Sequence, residues 1–426
     1  VTSPPDGAAD DDAPDPTGEV PEPTPLLTPR GGVPRVVTSA DDVPALAERF
    51  AAGHGPVAID AERASGFRYS ARAQLVQIHR RGAGIALIDP IATGDLSALG
   101  RALDGVEWVL HAAIADLACL AEIGLRPDRL FDTELGGRLA GFERVSLGTM
   151  TENLLGYRLA KGHSAADWST RPLPEDFLVY AALDVDILLD LRDEVEAVLR
   201  EQGKLGWAHE EFEAVRTAPP APPRLDPWRR TTGLQQVKTR RGMAVVQALW
   251  ESRDALGRET DIAPGRLLPD RSISEAGVVL PKTLQEMLEI SGFTRRNVVK
   301  HRRRWFAAIE SALRLPERRL PRKNAPLDPN AGPSRWMGKD NDVADRYALA
   351  REVVLEASER LQIPPENLVP PNAVRSLAWT PPPVADERAV AAQLREFGAR
   401  DWQVEQLARP LARALAAFVP RNASAS

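Results

Sequence analysis

The feature that most constrains this chain is a change of period at a proline-rich break. Before about residue 216, strand-like and helix-like patterns alternate; after about residue 236, the periodic segments are all helical. The break holds Pro219, Pro220, Pro222, Pro223 and Pro227. Each proline lacks an N–H donor and fixes φ, so neither a helix interior nor a central strand tolerates such a density. With 426 residues, the chain also exceeds the size at which a single hydrophobic core keeps growing. Several units are expected, the first mixed and the later ones all-helical.

In the first half, Val57–Glu62, Ala73–Ile78, Ile85–Ile88 and Glu107–His111 read as strands. Helical patterns cover roughly 42–52, 95–104, 114–123, 133–141 and 175–200. Three strands joined by short turns precede the strand–helix alternation, which predicts an α/β unit with a mixed sheet and flanking helices over 36–210. The first 30 residues carry Asp6, Asp10, Asp11, Asp12, Asp15, Glu19 and Glu22 against a single Arg30, and residues 1–35 hold few large apolar residues. Such a segment buries too little surface to offset its ordering entropy and is expected to be a disordered acidic tail. Helical units are expected over 237–318 and 342–418, with a second linker near 316–340. They share a motif: Ile262, Pro264, Leu267 and Pro269 recur as Ile363, Pro365, Leu368 and Pro370, and Ile273 as Val374, at a constant offset of 101. Two copies point to a pair of similar domains rather than a solenoid.

Composition narrows the class. Cys119 is the single cysteine, which excludes an intrachain disulfide and a cysteine-based zinc site and fits a cytoplasmic setting. No apolar run reaches the length of a membrane span, and the N-terminal residues lack the layout of a signal peptide. Net charge is −6, but residues 201–325 hold 24 Lys or Arg against 15 Asp or Glu. A basic segment in an acidic chain is a candidate polyanion site.

The chemistry is carried by carboxylates. Residues two apart on a strand share a face, so Asp60 and Glu62 stand side by side in an apolar strand. Two adjacent carboxylates repel and lose hydration, a cost that a divalent cation offsets; a solvent-facing polar edge would present the same pair. Asp116 follows a strand and lies on the stripe of Ala113, Leu117 and Leu120, although a first-turn helix Asp is also favoured by the helix dipole. Tyr180 and Asp184 are neighbours at i and i+4 on a helix, with Asp184 within the apolar stripe and Asp186 pointing away towards solvent. Tyr180 alone would pass for a boundary aromatic. Together, four carboxylates can hold two Mg²⁺ or Mn²⁺ ions about 4 Å apart.

This order, Asp60-x-Glu62 on a strand, Asp116 after a strand and Tyr180-x-x-x-Asp184 on a helix, resembles the DEDD exonuclease superfamily. Tyr180 stands where the tyrosine branch has its phenol, and Val179 where the histidine branch would have His. Leu75–Ile78 with Leu87–Pro90, Phe131–Thr133, Lys161–Ser164 with Asp167 and Trp168, and Arg171–Leu173 are similar to the ribonuclease D family. Ala61 stands where many members have Thr, a small-for-small departure. Residues 237–318 resemble the helicase-and-ribonuclease-D C-terminal (HRDC) module, and 342–418 a second, diverged copy. The resemblance implies a ribonuclease H-like mixed sheet followed by two all-α HRDC-like domains. It also implies a 3′→5′ exoribonuclease releasing nucleoside 5′-monophosphates, with Asp60, Glu62, Asp116 and Asp184 as metal ligands and Tyr180 orienting water. The implied partner is RNA with an accessible 3′ end, such as transfer-RNA precursors. A DNA exonuclease and a catalytically inactive RNA-binding scaffold are the alternatives. Arg302, Arg303 and Arg304 beside Trp305 form a dense basic run, expected either to contact phosphates or to be a solvated face.

Overall fold

The computed structural model describes residues 22–160, 162–163, 165–220, 222–323 and 341–420. The strands are β1 (Thr24–Leu26), β2 (Val36–Val37), β3 (His54–Arg63), β4 (Ala73–Arg81), β5 (Gly84–Ile88), β6 (Glu107–Leu110), β7 (Arg129–Asp132) and β8 (Tyr157–Leu159). Six of them form one sheet in the order β2-β5-β4-β3-β6-β7. β4 runs antiparallel to β3 and β5, whereas the β2–β5, β3–β6 and β6–β7 pairs are parallel. This is the mixed, ribonuclease H-like sheet expected from the sequence. Parallel strands need crossovers on the sheet faces, so β3 is covered on both sides, and Val57, Ala58 and Ile59 are fully buried.

The helices of this unit are α1 (Val43–Ala51), α2 (Pro90–Thr93), α3 (Ser97–Ala102), α4 (Leu117–Glu122), α5 (Thr133–Ala140), α6 (Leu147–Leu155), α7 (Glu175–Asp186), α8 (Leu188–Glu201) and α9 (Leu205–Arg216). Their ends follow local chemistry. Asp132 caps α5 by accepting from Glu134 and Leu135 N–H, and Ser146 caps α6 from Thr149 N–H. Gly141 and Gly156 end these two helices in the left-handed region, where a Cβ would be strained. The helix expected over 175–200 is two helices that meet at Ile187.

The first helical set comprises α10 (Arg240–Thr260), α11 (Pro264–Leu267), α12 (Asp270–Val279), α13 (Leu284–Glu289), α14 (Arg296–Val299) and α15 (Arg302–Leu313). It has its own core around Val245, Leu249, Ile273, Phe293 and Trp305. The second comprises α16 (Asn341–Leu361), α17 (Pro365–Leu368), α18 (Pro371–Trp379), α19 (Glu387–Glu396) and α20 (Asp401–Ala416). Its buried residues are continuous with the core of the sheet unit. The repeated motif marks the same local structure in both sets. A 21-residue helix is followed by a one-turn helix with Pro264 or Pro365 at its start, whose Leu267 or Leu368 is buried.

Two expectations are corrected. Residues 1–21 lie outside the described residues, but the acidic tail does not continue to residue 35. β1 pairs in parallel with β8, and Arg30 is bonded to Asp186 and Asp190. Asp186 is not solvated: its side chain is 5% exposed and paired with Arg30. Both errors arise because the compensating partner lies far away along the chain. Part of the second expected linker, 324–340, lies outside the described residues, as do Lys161 and Ser164.

Candidate active site

β3 delivers Asp60 and Glu62, and α7 crosses above it carrying Asp184. One carboxylate oxygen from each of Asp60, Glu62 and Asp184 lies within 4.8 Å of the others. Glu62 and Asp184 are each 9% exposed. Asp116, 5% exposed, follows β6 and stands just before α4. The structure brings three of the four expected carboxylates into one cluster and places Asp116 beside it. Asp116 feels the charge of Asp60, while its Oδ1 is 3.4 Å from Nη2 of Arg63.

The electrostatics fit hard, divalent cations. Burial is the largest cause throughout and pushes Asp60 up to about 6. Burial, with Asp60, Asp184 and Asp116 nearby, lifts Glu62 to about 9. Burial and the charge of Asp60 raise Asp116 to about 8, and the same two causes hold Asp184 well above the usual carboxylate range. Four closely spaced, poorly hydrated carboxyls cannot all ionise near neutral pH unless positive charge is supplied. An all-oxygen donor set of this kind suits Mg²⁺ or Mn²⁺ rather than a thiophilic metal.

Tyr180 lies one turn before Asp184, and the two side chains act on each other's ionisation. Burial raises the phenol far above its ordinary pKa, so it stays protonated and can donate. An aromatic group holds it: the His163 and Trp168 rings are 5.8 and 6.2 Å from the Tyr180 ring, centroid to centroid. Trp168 is fully buried and its Nε1 donates to the His163 carbonyl at 3.0 Å. Arg171 ties this segment to the sheet through Asp89, at 2.6 and 3.0 Å, and through the Gln74 carbonyl, at 2.7 Å. A cleft of about 500 Å³ opens beside Tyr180 and Asp184 and is also lined by Arg144, Ser146, Thr149, Arg158 and Leu159.

The sequence reading missed several supporting groups. Gln77, opposite Asp60 in the β3–β4 register, donates from Nε2 to Asp60 Oδ2 at 2.6 Å. Its signal was a Gln set among the apolar Leu75, Val76 and Ile78 of β4. Arg63, one residue beyond the Asp-x-Glu pair, faces Asp116. Asp132 accepts from Ala112 N–H at 3.0 Å and Ala113 N–H at 2.8 Å, fixing the turn that delivers Asp116. No local pattern announces that contact.

The basic run divides. Arg304 is bonded to Glu259 at 2.8 and 3.0 Å, whereas Arg302 and Arg303 are exposed and form no ion pair among the described residues. The first helical set also docks on the loop after β3. Tyr69 Oη donates to Asp254 at 2.8 Å, Ser70 N–H to Asp261 at 2.8 Å, and the Arg266 guanidinium sits 3.9 Å above the Phe67 ring.

Comparison with known proteins points to nucleases. Residues 34–200 match a 3′-5′ exonuclease family, 242–309 the HRDC domain, and 330–415 a family described as the 3′ to 5′ exonuclease C-terminal domain. Ribonuclease D of Acidiphilium cryptum is 32% identical over 310 residues, 70% of this chain and 76% of its own length. Ribonuclease D of a Shewanella species is 31% identical over 57% of this chain and 64% of its own length. A crystal structure of a protein from Bifidobacterium adolescentis superposes with a TM-score of 0.83 at 37% identity, covering 92% of this chain and all of that one. The Escherichia coli RNase D structure shares the fold, with a TM-score of 0.64 at 24% identity over 90% of this chain and 99% of that one. Among the described residues no helix is long and apolar enough to cross a membrane.

Proposed function

This chain is a 3′→5′ exoribonuclease of the ribonuclease D family, and from that premise we propose that it trims the 3′ ends of structured RNA, such as transfer-RNA precursors, in the cytoplasm. The observation that carries the reading is the convergence of Asp60, Glu62 and Asp184 beside Tyr180 at the end of an open cleft. Asp60, Glu62, Asp116 and Asp184 would hold two divalent cations, Mg²⁺ or Mn²⁺. When bound, such ions supply Lewis-acid charge at the scissile phosphate and at the leaving 3′ oxygen.

The chain's own groups do the positioning. Gln77 fixes one oxygen of Asp60, and with it the orientation of the carboxylate in the cluster. The Tyr180 hydroxyl, protonated and held by the aromatic group, orients the attacking water against the terminal phosphodiester. The cleft accepts the last nucleotides of a single strand, and hydrolysis releases a nucleoside 5′-monophosphate. The test is a time course on 3′- and 5′-labelled RNA and DNA oligomers with Mg²⁺, Mn²⁺ or a chelator. Stepwise shortening of RNA from its 3′ end, stopped by the chelator, is expected. Equal rates on DNA would favour a DNA exonuclease, and no cleavage with either metal would favour a scaffold.

Tyr180→Phe is expected to lower kcat by about tenfold to a hundredfold, the scale of a misplaced reactant, with Mn²⁺ affinity within about twofold of wild type by titration calorimetry. Loss of metal binding in this variant would contradict a water-orienting role.

We further propose that Arg302 and Arg303 contact phosphates upstream of the 3′ end, with Arg304 serving as a brace for α15 through Glu259. Replacing Arg302 and Arg303 with Ala should reduce the slope of log affinity against log salt by about 1.4, since each single-strand phosphate contact contributes about 0.7. Arg304→Ala should leave the slope unchanged. An unchanged slope in the double variant would make the run a solvated face.

A further inference from the structure

Residues 24–30 join two parts of the molecule that face each other across the catalytic cleft. At one end, β1 adds to β8 in parallel, with Pro25 opposite Arg158 and Leu26 opposite Leu159, and Thr24 N–H donates to the Gly156 carbonyl at 2.8 Å. Arg158 and Leu159 form one wall of the cleft, and Tyr180 and Asp184 of α7 form another. At the other end, Arg30 grips the C-terminus of α7. Its N–H and Nε donate to Asp186 Oδ2 at 2.8 and 3.1 Å, its Nη1 to Asp190 Oδ2 at 2.7 Å, and its Nη2 to the Asp186 carbonyl.

This grip has a physical cause. The last carbonyls of a helix have no partner within it, and a cation there complements the helix dipole. α7 ends at Asp186 with α8 starting at Leu188, so these carbonyls point at the junction between two helices. His79 of β4 faces the Val185 carbonyl at 3.1 Å, and Arg30 takes the next one. The carbonyl can only accept, so His79 Nδ1 carries the hydrogen. Asp186 is nearly buried, and it is Arg30 that compensates its charge. Arg30 lies four chain steps after Leu26, and four extended steps span at most about 14 Å, so the β8 wall and the end of α7 cannot separate freely.

We infer that residues 24–30 form a strap that sets the spacing between the two walls of the catalytic cleft, with Arg30 as a positioning residue for the helix that carries Tyr180 and Asp184. Arg30 belongs neither to the carboxylate cluster nor to the cleft lining; it acts through the register and tilt of α7. The inference rests on the assignment of Asp184 to the site. A construction of this kind matters because a shift of about 1 Å in a reacting group can lower a rate a hundredfold.

The test uses the full chain with Arg30→Ala, Arg30→Lys and Asp190→Asn, on a short unstructured RNA at saturating Mn²⁺. Arg30→Ala should lower kcat about tenfold, a partial displacement on that scale, with KM within about twofold and an unchanged folded fraction by circular dichroism at the assay temperature. Arg30→Lys should recover part of the loss, since an ammonium can reach the Asp186 carboxylate but cannot serve two carboxylates and a carbonyl together. Asp190→Asn, which weakens the exposed arm of the grip and the Arg81 pair on the other Asp190 oxygen but leaves every Arg30 contact to Asp186, should stay within twofold of wild type. The strap is overturned if Arg30→Ala keeps its kcat within twofold, if Asp190→Asn falls as far as Arg30→Ala, or if a reduced folded fraction accounts for the loss. If Asp184→Asn remained active, the site assignment itself would fail; if it were inactive while Arg30→Ala kept full rate, only the strap would.

Discussion

Asp184→Asn is expected to lower the release of 3′-terminal nucleotides on the order of a thousandfold, the scale on which one preorganised electrostatic group acts. The substitution keeps the shape of the side chain and one acceptor oxygen, so geometry is preserved and only charge and metal affinity are lost. Without that carboxylate, a cation is left with fewer negative ligands among Asp60, Glu62 and Asp116. The fold should not suffer. Asp184 lies within 4.8 Å of the Asp60 and Glu62 oxygens, and removing one of several crowded carboxyls relieves repulsion rather than breaking a stabilising pair. The expected result is therefore loss of activity with a melting temperature equal to or above that of wild type in metal-free buffer. Nucleotide release on denaturing gels and thermal unfolding by circular dichroism check the two halves separately. Asp60→Asn should behave alike, with Gln77 still donating to its side-chain oxygen. Activity within threefold of wild type at saturating Mn²⁺ in either variant would remove these residues from the metal site.

The second large effect is on stability. Glu211 on α9 is 5% exposed and accepts three hydrogen bonds from the C-terminal helical set: Arg400 Nη2 at 2.7 Å, Trp402 Nε1 at 3.0 Å and Gln403 Nε2 at 3.0 Å. The Trp402 indole also stacks on Trp207 with centroids 5.0 Å apart and planes at 13°. Glu211→Ala leaves a guanidinium, an indole N–H and an amide without their shared acceptor in a poorly hydrated interface. Breaking one side of such a buried pair costs about 3–5 kcal/mol. Glu211→Gln keeps an acceptor but not the charge and should lose less. Urea unfolding followed by tryptophan fluorescence measures the difference, and a loss below about 1 kcal/mol for Glu211→Ala, the scale of an exposed pair, would mean that the C-terminal helices do not depend on this junction. The same contacts make a chain cut near residue 215 a poor probe of the nuclease unit alone. Such a cut would expose Trp207 and Glu211 along with the core surface that the C-terminal helices cover.

What the sequence determined by itself is what local period encodes. The two-residue period of β3 put Asp60 and Glu62 on one face, the four-residue spacing of α7 put Tyr180 beside Asp184, and the order of these motifs indicated the family. The mixed sheet followed from three strands on short turns ahead of the strand–helix alternation. Tertiary structure alone decided which distant groups meet. Gln77 on Asp60, Asp132 under the turn that carries Asp116, Arg30 on Asp186, and Glu211 joined to Arg400 and Trp402 all link segments far apart in the chain or on neighbouring strands. Asp186 looked solvated because its helix face was judged without the strap that covers it, and residues 24–35 looked unfolded because their few apolar groups were weighed without β8. A helix or strand declares its faces through its own spacing, but whether a face meets solvent, a cation or another segment depends on topology, which closes long loops that no local pattern records.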